Sequence, residues 1–125
     1  MKVKILIVDD SSLARRSLRQ HLETMGHAVE EAPDGAQALE RFYLDPPELV
    51  FLDMVMTGMY GLDVLARLRE MNPAVKVIVV TADIQQSTAD EARAGGAKGI
   101  LNKPVDPEKL RSTIATVLAE GETWN

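Results

Sequence analysis

Residues 3–12 read VKILIVDDSS: a run from Val3 to Val8 that is apolar apart from Lys4, then two aspartates, then two serines. An apolar, β-branched run this short suits a strand buried on both faces, the habit of parallel sheets. After it, Ser12–Met25 keeps Ala14, Leu18, Leu22 and Met25 on one helical face, and Ser11 or Ser12 is a ready N-cap. The pattern recurs along the chain. Leu49–Leu52 (LVFL) and Val75–Val80 (VKVIVV) are further apolar runs. His27–Ala32 (HAVEEA) is more polar and Gly99–Asn102 (GILN) is shorter, as edge strands would be. Helical patterns occupy Ala36–Leu44, Leu62–Met71, Gln85–Ala94 and Pro107–Glu120, with Asp106 as the expected cap of the last. Gly26, Pro33, Pro46-Pro47, Asn72-Pro73 and Gly95-Gly96 fall between the periodic segments. Alternating strands and helices give a parallel sheet covered on both faces. Three apolar strands in the middle and two weaker ones at the edges predict a five-stranded parallel sheet in the order 2-1-3-4-5, flanked by five helices. Gln85–Ala94 is rich in alanine and carries little bulky apolar surface, so it is expected to be the least firmly anchored helix.

Composition narrows the function. At 125 residues a single domain is expected, here 1–121 with a short tail at 122–125 and no output domain. Fourteen Lys and Arg against nineteen Asp and Glu leave a formal charge of −5, which argues against nucleic acid as a direct partner. The absence of cysteine excludes zinc–thiolate sites, iron–sulfur clusters, thiol nucleophiles and disulfides. No apolar run approaches the ~20 residues of a membrane span, and no signal-peptide layout opens the chain. Membrane insertion is not expected, and the expected location is cytoplasmic.

An open, doubly wound sheet of this flavodoxin-like order binds ligands beyond the C-terminal strand ends, where the strand order reverses. In this sequence strand 1 ends in Asp9-Asp10, strand 3 in Asp53, strand 4 in Thr81 and strand 5 in Lys103-Pro104. Four strands thus bring three carboxylates, a hydroxyl and an ammonium to one rim. Ionised carboxylates repel at short range, and a hard divalent cation such as Mg²⁺ relieves that repulsion. A backbone carbonyl just after Asp53 is a further candidate ligand. A carboxylate is also a nucleophile able to form an acyl phosphate, provided cations neutralise the transferring oxygens. Taken singly these residues have ordinary readings: Asp9 and Asp10 as helix caps, Asp53 as a turn residue, Thr81 as a strand end and Lys103-Pro104 as loop. Capping does not explain why four strands converge.

With these residues the chain resembles the receiver domain of bacterial two-component response regulators, particularly stand-alone chemotaxis-type (CheY-like) ones. The marks are Val8-Asp9-Asp10-Ser11, Leu52-Asp53-Met54-Val55-Met56 with Gly58 and Gly61, Val80-Thr81-Ala82, Ala94-Gly95-Gly96-Ala97 and Lys103-Pro104. The resemblance implies that Asp53 accepts a phosphoryl group from a sensor histidine kinase or a phosphotransfer domain. Asp10 and Asp53 would bind Mg²⁺ directly together with the Val55 carbonyl, and Asp9 mainly through water. Thr81 and Lys103 would contact the phosphoryl oxygens. Beyond assisting its own phosphorylation and dephosphorylation, such a domain is not an enzyme. The implied output is a change of the helix 4–strand 5–helix 5 surface, about residues 83–94, 100 and 105–112, read by a protein effector such as a motor switch, or by a phosphatase. A cis peptide is implied at Lys103–Pro104. Three positions depart from the family pattern: Thr57 replaces a loop proline, Ile100 a frequent aromatic and Val105 a common phenylalanine.

Other readings compete. Alternatives to the stand-alone switch are a receiver cut from a larger regulator, a phosphate sink or a relay intermediate. An aspartyl-nucleophile phosphohydrolase would carry a general acid two residues beyond Asp53, where Val55 stands. A nucleotide or flavin carrier would need a Gly-rich cradle after strand 1, where Asp9-Asp10 stands. His21 and His27 lack ligand spacing and are read as surface or strand-flank residues. Met54, Met56 and Met59 are read as packing around the loop, and Glu30-Glu31 as a solvated edge. Arg15, Arg16 and Arg19 form a basic cluster, either simply solvated or a kinase-docking surface.

Overall fold

The computed structural model describes residues 2–56 and 58–124. Thr57, which stands where the family pattern has a loop proline, lies outside the described residues. Strands β1 (Lys4–Val8), β2 (Ala28–Ala32), β3 (Leu49–Asp53), β4 (Val77–Thr81) and β5 (Gly99–Asn102) alternate with helices α1 (Ser12–Thr24), α2 (Gly35–Leu44), α3 (Gly61–Met71), α4 (Gln86–Ala94) and α5 (Pro107–Leu118). All strand pairs are parallel and the order is β2-β1-β3-β4-β5, as the polarity ranking of the strands predicts.

The period of two along each strand splits the core. Leu6, Val8, Val50, Leu52, Val77, Val79 and Ile100 face one cluster, completed by Phe42 of α2, by Val64, Leu65 and Leu68 of α3 and by Ala89 and Ala92 of α4. Ile5, Ile7, Leu49, Phe51, Ile78, Val80 and Leu101 face the other, where α1 supplies Leu18 and Leu22 and α5 supplies Leu110, Ile114 and Val117. β3 and β4 are buried along their whole length, which explains their continuous apolar runs.

Caps set the helix starts. Ser11 Oγ accepts from the Ala14 amide at 3.2 Å, Asp34 from Gln37 at 2.8 Å, and Asp106 from Glu108 at 3.3 Å with Pro107 in the first turn. Three strands begin later than expected, β1 and β2 by one residue and β4 by two. Val75 is buried, but its amide bonds to the Asn72 carbonyl at 3.0 Å and closes the turn after α3, so β4 starts at Val77. Likewise Val3 is buried but precedes β1. Among the described residues no helix is long and apolar enough to cross a membrane.

Candidate functional site

Register builds the rim. Val8 lies opposite Leu52, Asp53 opposite Val80, and Thr81 opposite Asn102. Asp9, Asp53, Thr81 and Lys103 therefore stand at or one step past the ends of four adjacent strands, although 94 positions separate the first from the last. Asp9, Asp10 and Asp53 each offer a carboxylate oxygen, and these atoms lie within 4.8 Å of one another. Asp9 and Asp53 are buried, whereas Asp10 is exposed.

Lys103 is the cation of this cluster. Its Nζ donates to Asp9 Oδ2 at 2.8 Å and lies 3.5 Å from Asp53 Oδ2. Burial pulls the ammonium's pKa down, but the Asp9 hydrogen bond and the two carboxylate charges outweigh it, so the pKa is raised. For Asp53 burial dominates: desolvation, assisted by the Asp9 charge, raises its pKa against the Val55 amide and Lys103, which favour the anion. Asp53 Oδ1 accepts from the Val55 amide at 3.2 Å. Val55 is 68% exposed, so the loop beside Asp53 opens to solvent.

The remaining ligands of the rim are local. Asp9 Oδ1 accepts from the Ser11 amide at 2.9 Å, so Asp9 orders the turn while Ser11 performs the capping. Thr81, 1% exposed, accepts from the Asp83 amide at 3.0 Å, and its carbonyl accepts from the Lys103 amide at 2.9 Å. Asp83 in turn accepts from Thr88 Oγ1 at 2.5 Å, which ties the β4–α4 loop to the first turn of α4 and lowers the Asp83 pKa, with help from the Gln85 amide. The Lys103–Pro104 peptide is cis.

Glycine 61 fixes the floor. Its amide donates to the Met54 carbonyl at 3.1 Å, and a Cβ there would sit 2.6 Å from both the Asp53 carbonyl oxygen and Met54 Cα. Only a residue without a side chain allows α3 to start this close to the acidic strand end.

Two expectations about charge are corrected. Glu30-Glu31 is not simply a solvated edge, nor are Arg15 and Arg19 simply solvated. Arg15 Nε and Arg19 Nη1 bind the two Glu31 oxygens at 2.9 and 2.7 Å, and Arg41 binds Glu30 at 2.7 Å. Arg15 Nη1 also donates to the Asp9 carbonyl at 2.6 Å, which buttresses the acidic turn from behind. Sequence spacing carries no signal for that bond, because α1 reaches back over its own strand end only in the folded chain. Met54 and Met56 are buried in the α2–α3–α4 core cluster, in keeping with packing. His27 Nδ1 accepts from the Val3 amide at 3.2 Å at the flank of β2.

A parallel 2-1-3-4-5 sheet with an acidic trio and a lysine at its switch point defines a class, and comparison with known proteins agrees. Residues 5–115 match the response regulator receiver domain model, and the chain belongs to that family. It is 36% identical over 118 residues to response regulator MprA of Mycobacterium ulcerans, covering 94% of this chain and 51% of the relative. It is 39% identical over 115 residues to the alginate biosynthesis transcriptional regulatory protein AlgB of Pseudomonas syringae, covering 92% and 26%. A CheY-like receiver domain protein from Methanospirillum hungatei superposes with a TM-score of 0.89 at 29% identity, covering 96% of both chains. The chain thus spans about half the length, or less, of the curated relatives it matches. These relatives are not specific to chemotaxis, so the narrower chemotaxis-type reading gains no support from them.

Proposed function

We propose that Asp53 is the phosphoacceptor of a Mg²⁺-dependent phosphorelay receiver. The observation that carries this is the gathering of one oxygen each from Asp9, Asp10 and Asp53 within 4.8 Å, with Lys103 Nζ 3.5 Å from Asp53. The donor set fits Mg²⁺: hard carboxylate oxygens, few in number, at a rim open to water. Asp10, Asp53 and the Val55 carbonyl would hold it, with Asp9 acting through water. When bound it would supply charge neutralisation for the oxygens of the transferring group.

The chain's own residues supply the rest. A carboxylate oxygen of Asp53 bonds to phosphorus while the phosphorus–nitrogen bond of a kinase phosphohistidine breaks, its electron pair returning to the imidazole. The raised pKa of Asp53 reflects a poorly solvated anion, which is a better nucleophile than one held by many water molecules. Lys103 moves its ammonium from Asp9 toward a phosphoryl oxygen, and Thr81 donates its hydroxyl to another. Since Thr81 ends β4 and Lys103 directly follows β5, their new bonds alter the α4–β5–α5 face, which a partner protein reads.

Treatment of the full chain with acetyl phosphate and Mg²⁺ is expected to give one phosphoryl adduct by intact mass, absent in Asp53→Asn and absent without the metal. An adduct that persists in Asp53→Asn, or none in the natural chain, overturns the assignment.

A further inference from the structure

The segment after α5 does not trail into solvent. α5 ends in a turn where the Gly121 amide bonds to Thr116 O at 2.8 Å and the Glu120 amide to Val117 O at 3.1 Å, with Glu120 at φ +68°. This Schellman arrangement reverses the chain. Thr123 then bonds along the outer edge of β5: its amide donates to Lys98 O at 3.0 Å and its carbonyl accepts from the Ile100 amide at 3.1 Å. Thr123 and Gly99 form a parallel bridge. The edge that β5 would otherwise leave open is closed by the chain itself.

The approach is close. A Cβ on Gly99 would sit 2.8 Å from Thr123 Oγ1 and 2.9 Å from Thr123 O. One residue on, Trp124 packs half-buried against the core cluster that contains Ala92 and Ile100. The Arg93 guanidinium of α4 lies 5.7 Å from the Trp124 ring centroid, and Trp124 Nε1 donates to Glu122 at 2.8 Å. The segment thus holds β5 by its backbone and α4 by an aromatic ring. Its fit is imperfect, because Thr123 Oγ1 is buried with no hydrogen-bond partner.

We propose that residues 121–124 form a strap that closes the β5 edge and the α4–β5 face in the resting chain, and that phosphorylation of Asp53 releases it. The proposal rests on the receiver reading and adds a regulatory element to it. The coupling has a short path. Ile100, whose amide holds the strap, lies three residues before Lys103, whose ammonium faces Asp53. A pull on Lys103 toward a phosphoryl group displaces β5, and the strap's two main-chain bonds form an isolated bridge that no further ladder bond reinforces. Release uncovers both an unpaired strand edge and the α4 side that the ring covers, the two features a partner needs for strand addition.

Trp124 is the sole tryptophan, so its emission reads the strap directly. The full chain is titrated with beryllofluoride and Mg²⁺, with occupancy followed by fluorine NMR and the strap by Trp124 emission and acrylamide quenching. Occupancy is expected to red-shift the emission and raise quenching. Gly99→Ala, which crowds Thr123 while leaving every strap residue in place, is expected to show the exposed emission without ligand. By reciprocity it binds beryllofluoride about fivefold more tightly or better. Thr123→Pro, which removes the donor to Lys98 O, serves as the second variant and is expected to behave alike. A fluorine signal in either variant but none in the natural chain supports the strap. Full occupancy with unchanged emission and equal midpoints overturns the strap and leaves the receiver reading intact. No fluorine signal from any of the chains overturns the receiver reading and the coupling with it.

Discussion

Lys103 Nζ donates to the carboxylate of Asp9 at 2.8 Å, and the two side chains are 26% and 7% exposed. The lysine thus spends its strongest bond on an aspartate beside the proposed acceptor and holds Asp53 at the longer distance of 3.5 Å. That arrangement leaves the ammonium within reach of an incoming anion while keeping Asp9 neutralised beforehand.

Lys103→Met removes the cation and leaves the buried Asp9 unpaired. In metal-free buffer the expected loss is about 2 kcal/mol, below that of a fully buried pair because part of the lysine is solvated. Urea midpoints with and without Mg²⁺ check this: the divalent ion is expected to stabilise the variant more than the natural chain, since it replaces the missing positive charge.

Asp53→Asn acts in the opposite direction. Burial raises the Asp53 pKa above its ordinary 3.8, so the folded chain keeps the proton at a pH where the unfolded chain has released it. Stability from this group therefore falls as pH rises from the unfolded to the folded value, and the full penalty stands above it. Asp53→Asn is expected to be more stable than the natural chain by about 1 kcal/mol at neutral pH without metal, with the gap closing as pH falls through the folded value and gone below the unfolded one. Denaturation at several pH values measures it, and Mg²⁺ is expected to stabilise the natural chain more than this variant.

Asp10→Ala tests the metal assignment. Losing one of three carboxylates is expected to weaken Mg²⁺ binding by about tenfold or more, which corresponds to roughly 1.4 kcal/mol. Titration calorimetry reads it, and an unaltered affinity removes Asp10 from the site.

Glu31→Gln breaks the Arg15–Glu31–Arg19 network. The hydrogen bond from Arg19, helped by Arg15, holds the Glu31 pKa below its ordinary 4.5. That stabilisation is present above the unfolded pKa and is lost as pH falls through the folded one. The variant is expected to lose about 1 kcal/mol at neutral pH and nothing at strongly acidic pH, as thermal melts across that range will show.

Gly61→Ala forces a Cβ to 2.6 Å from the Asp53 carbonyl oxygen. Overpacking against backbone costs typically 1–3 kcal/mol, so a destabilisation of about 2 kcal/mol is expected. A matching fall in Mg²⁺ affinity distinguishes displacement of the Asp53 strand end from a simple loss of packing, and paired urea and calorimetric titrations provide both values.

The elements and the strand order were legible because burial writes itself into each run. Phe51 and Val79 lie in strands buried on both faces, whereas Glu30 and Asn102 mark the edges. The rim was legible because a parallel sheet places every strand's last residue on one side, so Asp9, Asp53, Thr81 and Lys103 needed only the order of the strands to meet. Arg15 on the Asp9 carbonyl, Thr88 on Asp83 and Thr123 against Gly99 were not legible. Each depends on the exact angle at which a helix or segment returns to the sheet, and no local periodicity records that angle. The start of β4 was misread because Val75 is as apolar as a strand residue yet serves a turn.

The alanine-rich packing of α4 sets an energetic order of opening. Its buried residues are Thr88, Ala89 and Ala92, whereas α3 buries Val64, Leu65 and Leu68. A large aliphatic side chain gains about 1.5–3 kcal/mol on burial and a methylene about 0.8, so α4 holds to the sheet several kcal/mol more weakly than α3. In native-state hydrogen exchange the amides of α4 would then exchange through a local excursion, well before those of α3 follow global unfolding. A helix so lightly held needs only a small bias at the strand ends to change its population, while the rest of the domain stays folded beneath it.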